Sequence, residues 1–524
     1  MVRLHGHRVV AIAAAGVLAG TLAGCAKGDH NGHGGGKPTA DRMVLKVGTT
    51  DSVTSLDPAG PYDPGSWTLQ ANFYQTLLTV LPGKPTPVPD AADCQFDTPT
   101  TYTCSLKSGL TFTNGHQLTS SDVKYSFDRM LRIKALAGPA AMFSTLGSVT
   151  TPDNLTVAFN LKRPDARLPY LLTTTAASVV DEQVYPAAKL LTGKAVGSGP
   201  YKLTSYQAGK RATLAKFPGY HGIRAAQNDG VEVSFLTNSA ALRQAVSNGK
   251  VDVVAGGLVP TDLDKLRAGG KVQVIEADGA ETRSLAFNFR SPTARKPAVR
   301  RAVAQLIDRP AIAKRVYAGQ VKPLYSVIPA GFGSQTDAFS REYKEPDKAA
   351  AAAILREGAI TGPVTLSLGW TPSHYGPGAK AEVAEVKRQL EASGLFRVNV
   401  RGVEWPRYQQ LAKAGSFDLF QVGWIPQFPD GDDFLTPIVK DGATYQNGYK
   451  SQTAARLLDN EADSQNQSER DDAFGQLQSV LAHDVPVLPI WQSRTAVVAG
   501  KDVQNVAGSL SPLYFLYYSA LLPK

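Results

Sequence analysis

The residues best placed to act on another molecule fall in one stretch, Phe417–Phe434, which reads FDLFQVGWIPQFPDGDDF. Phe417, Leu419, Phe420 and Val422 predict a buried strand that runs out at Gly423. Beyond it come Trp424, Ile425 and Gln427, then Asp430, Asp432 and Asp433 among two prolines. An aromatic face beside an amide suits stacking and hydrogen bonding to a ligand. The three carboxylates could hold calcium, but their spacing does not follow an EF-hand loop; turn-making and solubility are expected of them, and no metal. Ser121-Asp122-Val123-Lys124 fits the S-x-x-K nucleophile pattern, but its partner motifs S-D-N and K-T-G are missing. A helix start explains the same residues: Ser or Thr caps, with Asp122 in the first turn. The sequence has no H-E-x-x-H, G-x-S-x-G, Walker loop or helix-opening G-x-G-x-x-G. A binding protein without catalysis or cofactor is therefore expected.

The elements upstream repeat one pattern. Pro363–Trp370 alternates as a strand, with Val364, Leu366 and Leu368 on one side. Gly378–Gly394 reads as a helix with Ala379, Val383, Val386 and Leu390 on one face, Glu382, Lys387 and Arg388 as its polar residues, and Gly394 as C-terminal cap. Val398–Trp405 is a second strand and Pro406–Ala414 a second helix, Pro opening it. Strand, helix, strand, helix, strand is the signature of a parallel sheet, and open parallel sheets bind ligands beyond the carboxyl ends of their strands. Those ends carry Trp370 to His374, Trp405, and Trp424 to Gln427, so three of the five Trp stand at successive strand ends.

The amino terminus has a different character. Arg3 and Arg8 precede an apolar run, Val9–Thr21, too short for the ~20 residues of a membrane span. Leu22-Ala23-Gly24-Cys25 then resembles a lipoprotein cleavage site, predicting a signal peptide over 1–24 and acylation of Cys25. Two or more chains are needed for stable anchoring. Residues 25–42 are Gly-rich and polar and read as a flexible tether. The rest, about 485 residues, is long enough for roughly three domains. The net charge is +10, or +8 without Arg3 and Arg8. The basic residues are scattered and no nucleic-acid motif accompanies them, so no nucleic-acid partner is expected. Cys94 and Cys104 flank a turn-like segment and, in an exported chain, predict a disulfide. Met43–Thr50 reads as a strand, a helix is expected from about Trp67, and Tyr102–Leu106 and Leu110–Phe112 read as strands before the Asn114-Gly115 turn.

From about residue 44 onward the chain resembles the peptide and nickel branch of bacterial ABC-transporter solute-binding proteins, family 5. The resemblance rests on SLDPA (Ser55–Ala59), the block Thr101–Met130, GSGPYKL (Gly197–Leu203), AFNFRSP (Ala286–Pro292), Lys296–Ile312, EWPRY with FDLFQVGW, and DVPVLPIWQ (Asp484–Gln492), all in family order. It implies an α/β, periplasmic-binding-protein-like fold: two hinged lobes with a further domain inserted in the first. The implied boundaries are 43–68, 197–285 and 492–524 for lobe I, 69–196 for the insertion and 286–491 for lobe II. The implied role is capture of a peptide or other small polar solute for an ABC permease and ATPase, by a monomer anchored through its lipid to the outer face of the cytoplasmic membrane. Peptide-binding members carry an Asp three residues after the Trp of the G-W motif, paired with the ligand's α-ammonium. Gln427 stands there and cannot neutralise an ammonium. Dipeptide binders also carry an Arg where His374 stands by length. An oligopeptide is therefore expected over a simple dipeptide, with a sugar stacked on Trp405 and Trp424 as the alternative ligand. Gly423, Ile425, Tyr62 and Trp67 complete the candidate site. The readings from other classes are a sensory or chaperone lipoprotein and a hydrolase, whose one candidate base at a strand end is His374, with Ser373 beside it pointing elsewhere in an extended loop.

Overall fold

The computed structural model describes residues 43–440, 442–513 and 515–523. The signal segment, Cys25 and the tether lie outside them. Among the described residues no helix is long and apolar enough to cross a membrane.

One eleven-stranded sheet runs through both lobes. At one end lie the three parallel strands expected from the repeat: Phe396–Gly402, Val364–Trp370 and Leu419–Trp424, in that spatial order. The helix Ala379–Ala392 crosses between the first pair in sequence, and Ala379, Val383, Val386 and Leu390 are all buried beneath it. Its residue Glu382, expected on the polar face, is instead wholly buried. It accepts from Tyr317 Oη, Gln421 Nε2 and Trp491 Nε1 at 2.6–2.7 Å, so three neutral donors replace water around the carboxylate.

At the other end, Val44–Thr49 pairs in parallel with Gly230–Phe235 and Val253–Ala255. Two long antiparallel strands join the halves of the sheet, Val272–Phe287 and Val487–Gly500. Their register shifts between Asp278 and Thr282. On one side of the shift, residues 272–278 face 494–500; on the other, 282–287 lie between the second hinge strand and Leu419–Trp424. A bulge of this kind bends the strand and frees backbone from the ladder. Gly279 sits in it, where a Cβ would come within 2.1 Å of Ser493 Oγ. The junction of the lobes is thus a two-strand hinge with a built-in irregularity.

A separate four-stranded antiparallel sheet, Ala92–Thr98, Thr101–Leu106, Thr156–Leu161 and Leu146–Asp153, forms the inserted part. Cys94 faces Cys104 across its first pair and is bonded to it. The helix Ser120–Ile133 covers the sheet, Phe127 meeting Phe143 and Phe159 edge-on. Thr119 and Asp122 close a capping box at its start. Leu110–Phe112 does not form the expected strand. Thr111 makes one bridge to Gln117 around a turn in which Gly115 has φ +94°. Two of the family-like segments meet here: Asp57 of SLDPA takes a two-pronged ion pair from Arg129, 2.6 and 2.9 Å, with both side chains buried.

Candidate functional site

The cleft opens where the two lobes face each other across the hinge. A cavity of about 270 Å³ is lined from lobe I by Thr49, Asp51, Pro64, Thr68 and Gly256, from the hinge by Glu281 and Ser493–Thr495, and from lobe II by Ile425. Ile425 is one of the few large apolar side chains left exposed, 47 %. A chain lying there would meet backbone and side chains of both lobes.

Behind the end of the parallel strands, a second cavity of about 210 Å³ gathers His374, Tyr375, Trp405, Gly423, Trp424 and Tyr445. The strand Val364–Trp370 delivers the His374 loop, and Leu419–Trp424 delivers Gly423 and Trp424. Trp405 arrives differently from expectation. It is the first residue of the helix Trp405–Lys413 rather than the end of a strand, because the strand stops at Gly402 and Val403 N–H returns to Trp370 O at 3.0 Å. The His374 ring stacks on Trp405, 3.6 Å between centroids and 10° apart, and Tyr408 lies near-parallel to Trp405 at 5.8 Å. Two side chains thus occupy the stacking partners of Trp405, which leaves Trp424 as the better platform. Trp424 meets Tyr445 edge-on at 6.1 Å. Desolvation, helped by the Arg283 guanidinium, holds the His374 imidazole below its ordinary pKa, so it is neutral near pH 7.

A third cavity, about 530 Å³, shares Trp424 and adds Tyr62, Gln427, Asp433, Arg167 and the Gly138–Pro139 turn. Tyr62 Oη donates to the Gln427 carbonyl at 3.0 Å, a direct tie between first-lobe loop and second-lobe site. Tyr62 in turn packs on Trp67, 4.2 Å between centroids. Trp67 itself does not reach the cavities. It is 4 % exposed and belongs to the core, with its indole N–H unpartnered. The helix Pro64–Phe73 turns it inward, so its part is to back Tyr62.

The acidic run is not the solvated loop its composition suggests: Asp430, Asp432 and Asp433 are all buried. Asp430 takes Arg470 at 2.9 Å. Asp432 takes Arg167 at 3.1 Å, and Arg167 also grips Asp165. This buried triad ties the inserted part to the helix Asp432–Val439. Among the described residues Asp433 has no such cation. It accepts from the Gln427 backbone N–H and, at 3.4 Å, from Trp424 Nε1. Burial pushes its carboxyl up to about 8, against the pull of those donors and with Asp432 adding to the rise. Tyr375 and Tyr445 of the second cavity, Asp433 of the third and Arg283 packed behind them are residues that the sequence did not single out as ligand contacts. Arg283 is buried beside Gly423, over the Tyr375 ring at 4.3 Å and paired with Glu281 at 3.0 Å. The one available signal was the exact cross-strand register of Arg283 and Gly423, which needs the structure.

Comparison with known proteins assigns the class. Residues 86–446 match the model of the bacterial extracellular solute-binding proteins, family 5, and the chain belongs to that family. It is an ABC-transporter solute-binding protein, not an enzyme. It is 25 % identical over 482 residues to the probable D,D-dipeptide-binding periplasmic protein DdpA of Escherichia coli, covering 88 % of this chain and 91 % of that one. Among solved structures it resembles HbpA2 of Haemophilus parasuis (TM-score 0.82, 19 % identity, 92 % of this chain and 100 % of that). It also resembles the periplasmic binding protein DppA of Helicobacter pylori in complex with the peptide STSA (TM-score 0.72, 22 % identity, 92 % and 98 %).

Proposed function

We propose that this protein captures a peptide of more than two residues outside the cytoplasmic membrane and hands it to an ABC permease. It is held at the membrane by lipid on Cys25 and acts as a monomer. The observation that carries the reading is the cleft itself: a cavity walled by both lobes, joined by a two-strand hinge with a bulge at its centre. A ligand touching both walls favours the closed state by its differential contacts with it. On this reading the second lobe is 286–491 and the insertion 69–196; the two hinge strands, Val272–Phe287 and Val487–Gly500, support the first of these bounds. Trp424, Gln427, Gly423, Ile425, His374 and Tyr62 line the path. Trp405 supports His374, and Trp67 supports Tyr62. The relatives support peptide over sugar: DdpA is described as a probable D,D-dipeptide binder and the Helicobacter protein was solved with a four-residue peptide. The His374 ring stacked on Trp405 also weakens the sugar-stacking alternative.

Native mass spectrometry of the purified protein tests this. Bound masses that resolve into a family of peptides on denaturation are the expected result. A single non-peptide mass, or no retention from a peptide pool, refutes it.

A further inference from the structure

Three carboxylates sit side by side in the segment Asp430–Asp433, and two are neutralised by buried guanidinium groups. The third is not. Among the described residues no Lys, Arg or His pairs with Asp433, although it is 5 % exposed and lines the 530 Å³ cavity with Trp424, Tyr62 and Gln427. Of the two cations that line this cavity, Arg167 is committed to Asp165 and Asp432 through three of its nitrogens, and the exposed Lys440 forms no ion pair with Asp433 among the described residues. A buried carboxylate without a cation is costly, and this one stands in the wall of a cavity rather than deep in a core.

We propose that Asp433 is the acidic partner of a primary ammonium on the bound peptide, so that the charge Gln427 cannot neutralise is met from six residues further along. The inference rests on the peptide-capture reading above. The Trp424 and Tyr62 rings line the same cavity, and aromatic faces attract cations. The rise of the carboxyl to about 8 fits this placement: the free site holds a proton near neutral pH, and an arriving ammonium displaces it. The charged and titratable groups around it are Asp432 on the same helix, Arg167 of the inserted part, Lys440 at the helix end, Tyr62 of lobe I and Tyr445. Arg167 is spoken for by its two carboxylates, and the burial of both tyrosines holds their hydroxyls well above the working range.

The test uses three tetrapeptide pools on the full-length protein: neutral side chains with a free amino end, the same pool N-acetylated, and an N-acetylated pool with one Lys. The wild type should retain the first pool or the third, telling amino end from side chain, and reject the second. Asp433→Asn keeps an acceptor for the Gln427 N–H and should weaken the retained pool at least about thirtyfold, the low end for one partner lost from a buried charge pair. Titration in buffers of different ionisation heat should show proton release near pH 7 in the wild type and none in Asp433→Asn. Adding Gln427→Asp to that variant should restore binding, which a purely structural role of Asp433 does not predict. Equal binding by wild type and Asp433→Asn, or equal retention of the neutral acetylated pool, overturns the inference while leaving peptide capture standing. Retention of no pool overturns peptide capture and the inference with it.

Discussion

Replacing Asp433 with Asn should make the ligand-free protein more stable, and increasingly so as pH rises. A carboxyl normally titrates near 4, and this one is raised to about 8 in the folded state. Between those values the folded protein binds a proton that the unfolded chain has released. Stability therefore falls with rising pH over this window, by up to about 1.4 kcal/mol per pH unit, and the loss is complete above pH 8. Four such steps give about 5 kcal/mol at pH 8.5, roughly half of it present at pH 6 and almost none at pH 4. Asn keeps the oxygen that receives the Gln427 N–H and does not titrate. Urea unfolding of both proteins at pH 4.5, 6, 7 and 8.5 measures the difference, and titrations that do not depend on the Asp433 charge drop out of it. The expected difference is near zero at the acid end and grows to several kcal/mol in favour of Asp433→Asn. A constant difference across the series, or one that favours Asp433 at high pH, refutes the claim that this carboxylate is buried without compensation.

Three other changes probe the neighbourhood. Trp424→Ala should weaken peptide binding by about 2 kcal/mol or more, roughly thirtyfold in Kd by calorimetry, with an intact circular dichroism spectrum, because the ring is only half-buried at the cavity wall. Trp67→Ala should instead cost about 3–5 kcal/mol of stability as a core cavity, while Trp67→Phe should cost clearly less in the same melts, because it leaves a smaller cavity and the indole N–H it removes has no partner among the described residues. Arg167→Met strands Asp165 and Asp432 in the interior and should destabilise by about 3–5 kcal/mol; the double change with Asp432→Asn should lose less, measured as a double-mutant cycle in urea.

Periodicity carried the sequence reading as far as periodicity reaches. Alternation in Val364–Trp370 and the apolar face of Ala379–Ala392 follow local geometry, and the parallel sheet with its ligand-lined ends follows from their order. The errors share one cause. Glu382 reads as solvent-facing because a helix wheel places it beside Lys387, yet its three donors come from residues 65, 39 and 109 positions away. Trp405 reads as a strand end because the signal that Pro406 opens a helix does not fix which preceding residue joins it. Trp67 reads as a pocket residue because an aromatic in a Pro/Gly loop has no visible core to enter.

The run PDGDD shows the limit most plainly. Three identical side chains within four positions have no local property that separates them, and all three read as turn-making acids. Their fates are decided by partners from elsewhere: Arg470 arrives from 40 residues away for Asp430, and Arg167 from 265 residues away for Asp432. Among the described residues Asp433 receives no guanidinium, and the donors it does receive, backbone N–H groups and an indole, belong to the ligand loop itself. Charge left over after folding is what a binding site can offer to a ligand. It can be found only once every other charge in the segment has been assigned its partner, and so the residue most informative about the ligand is the one that composition and spacing hide best.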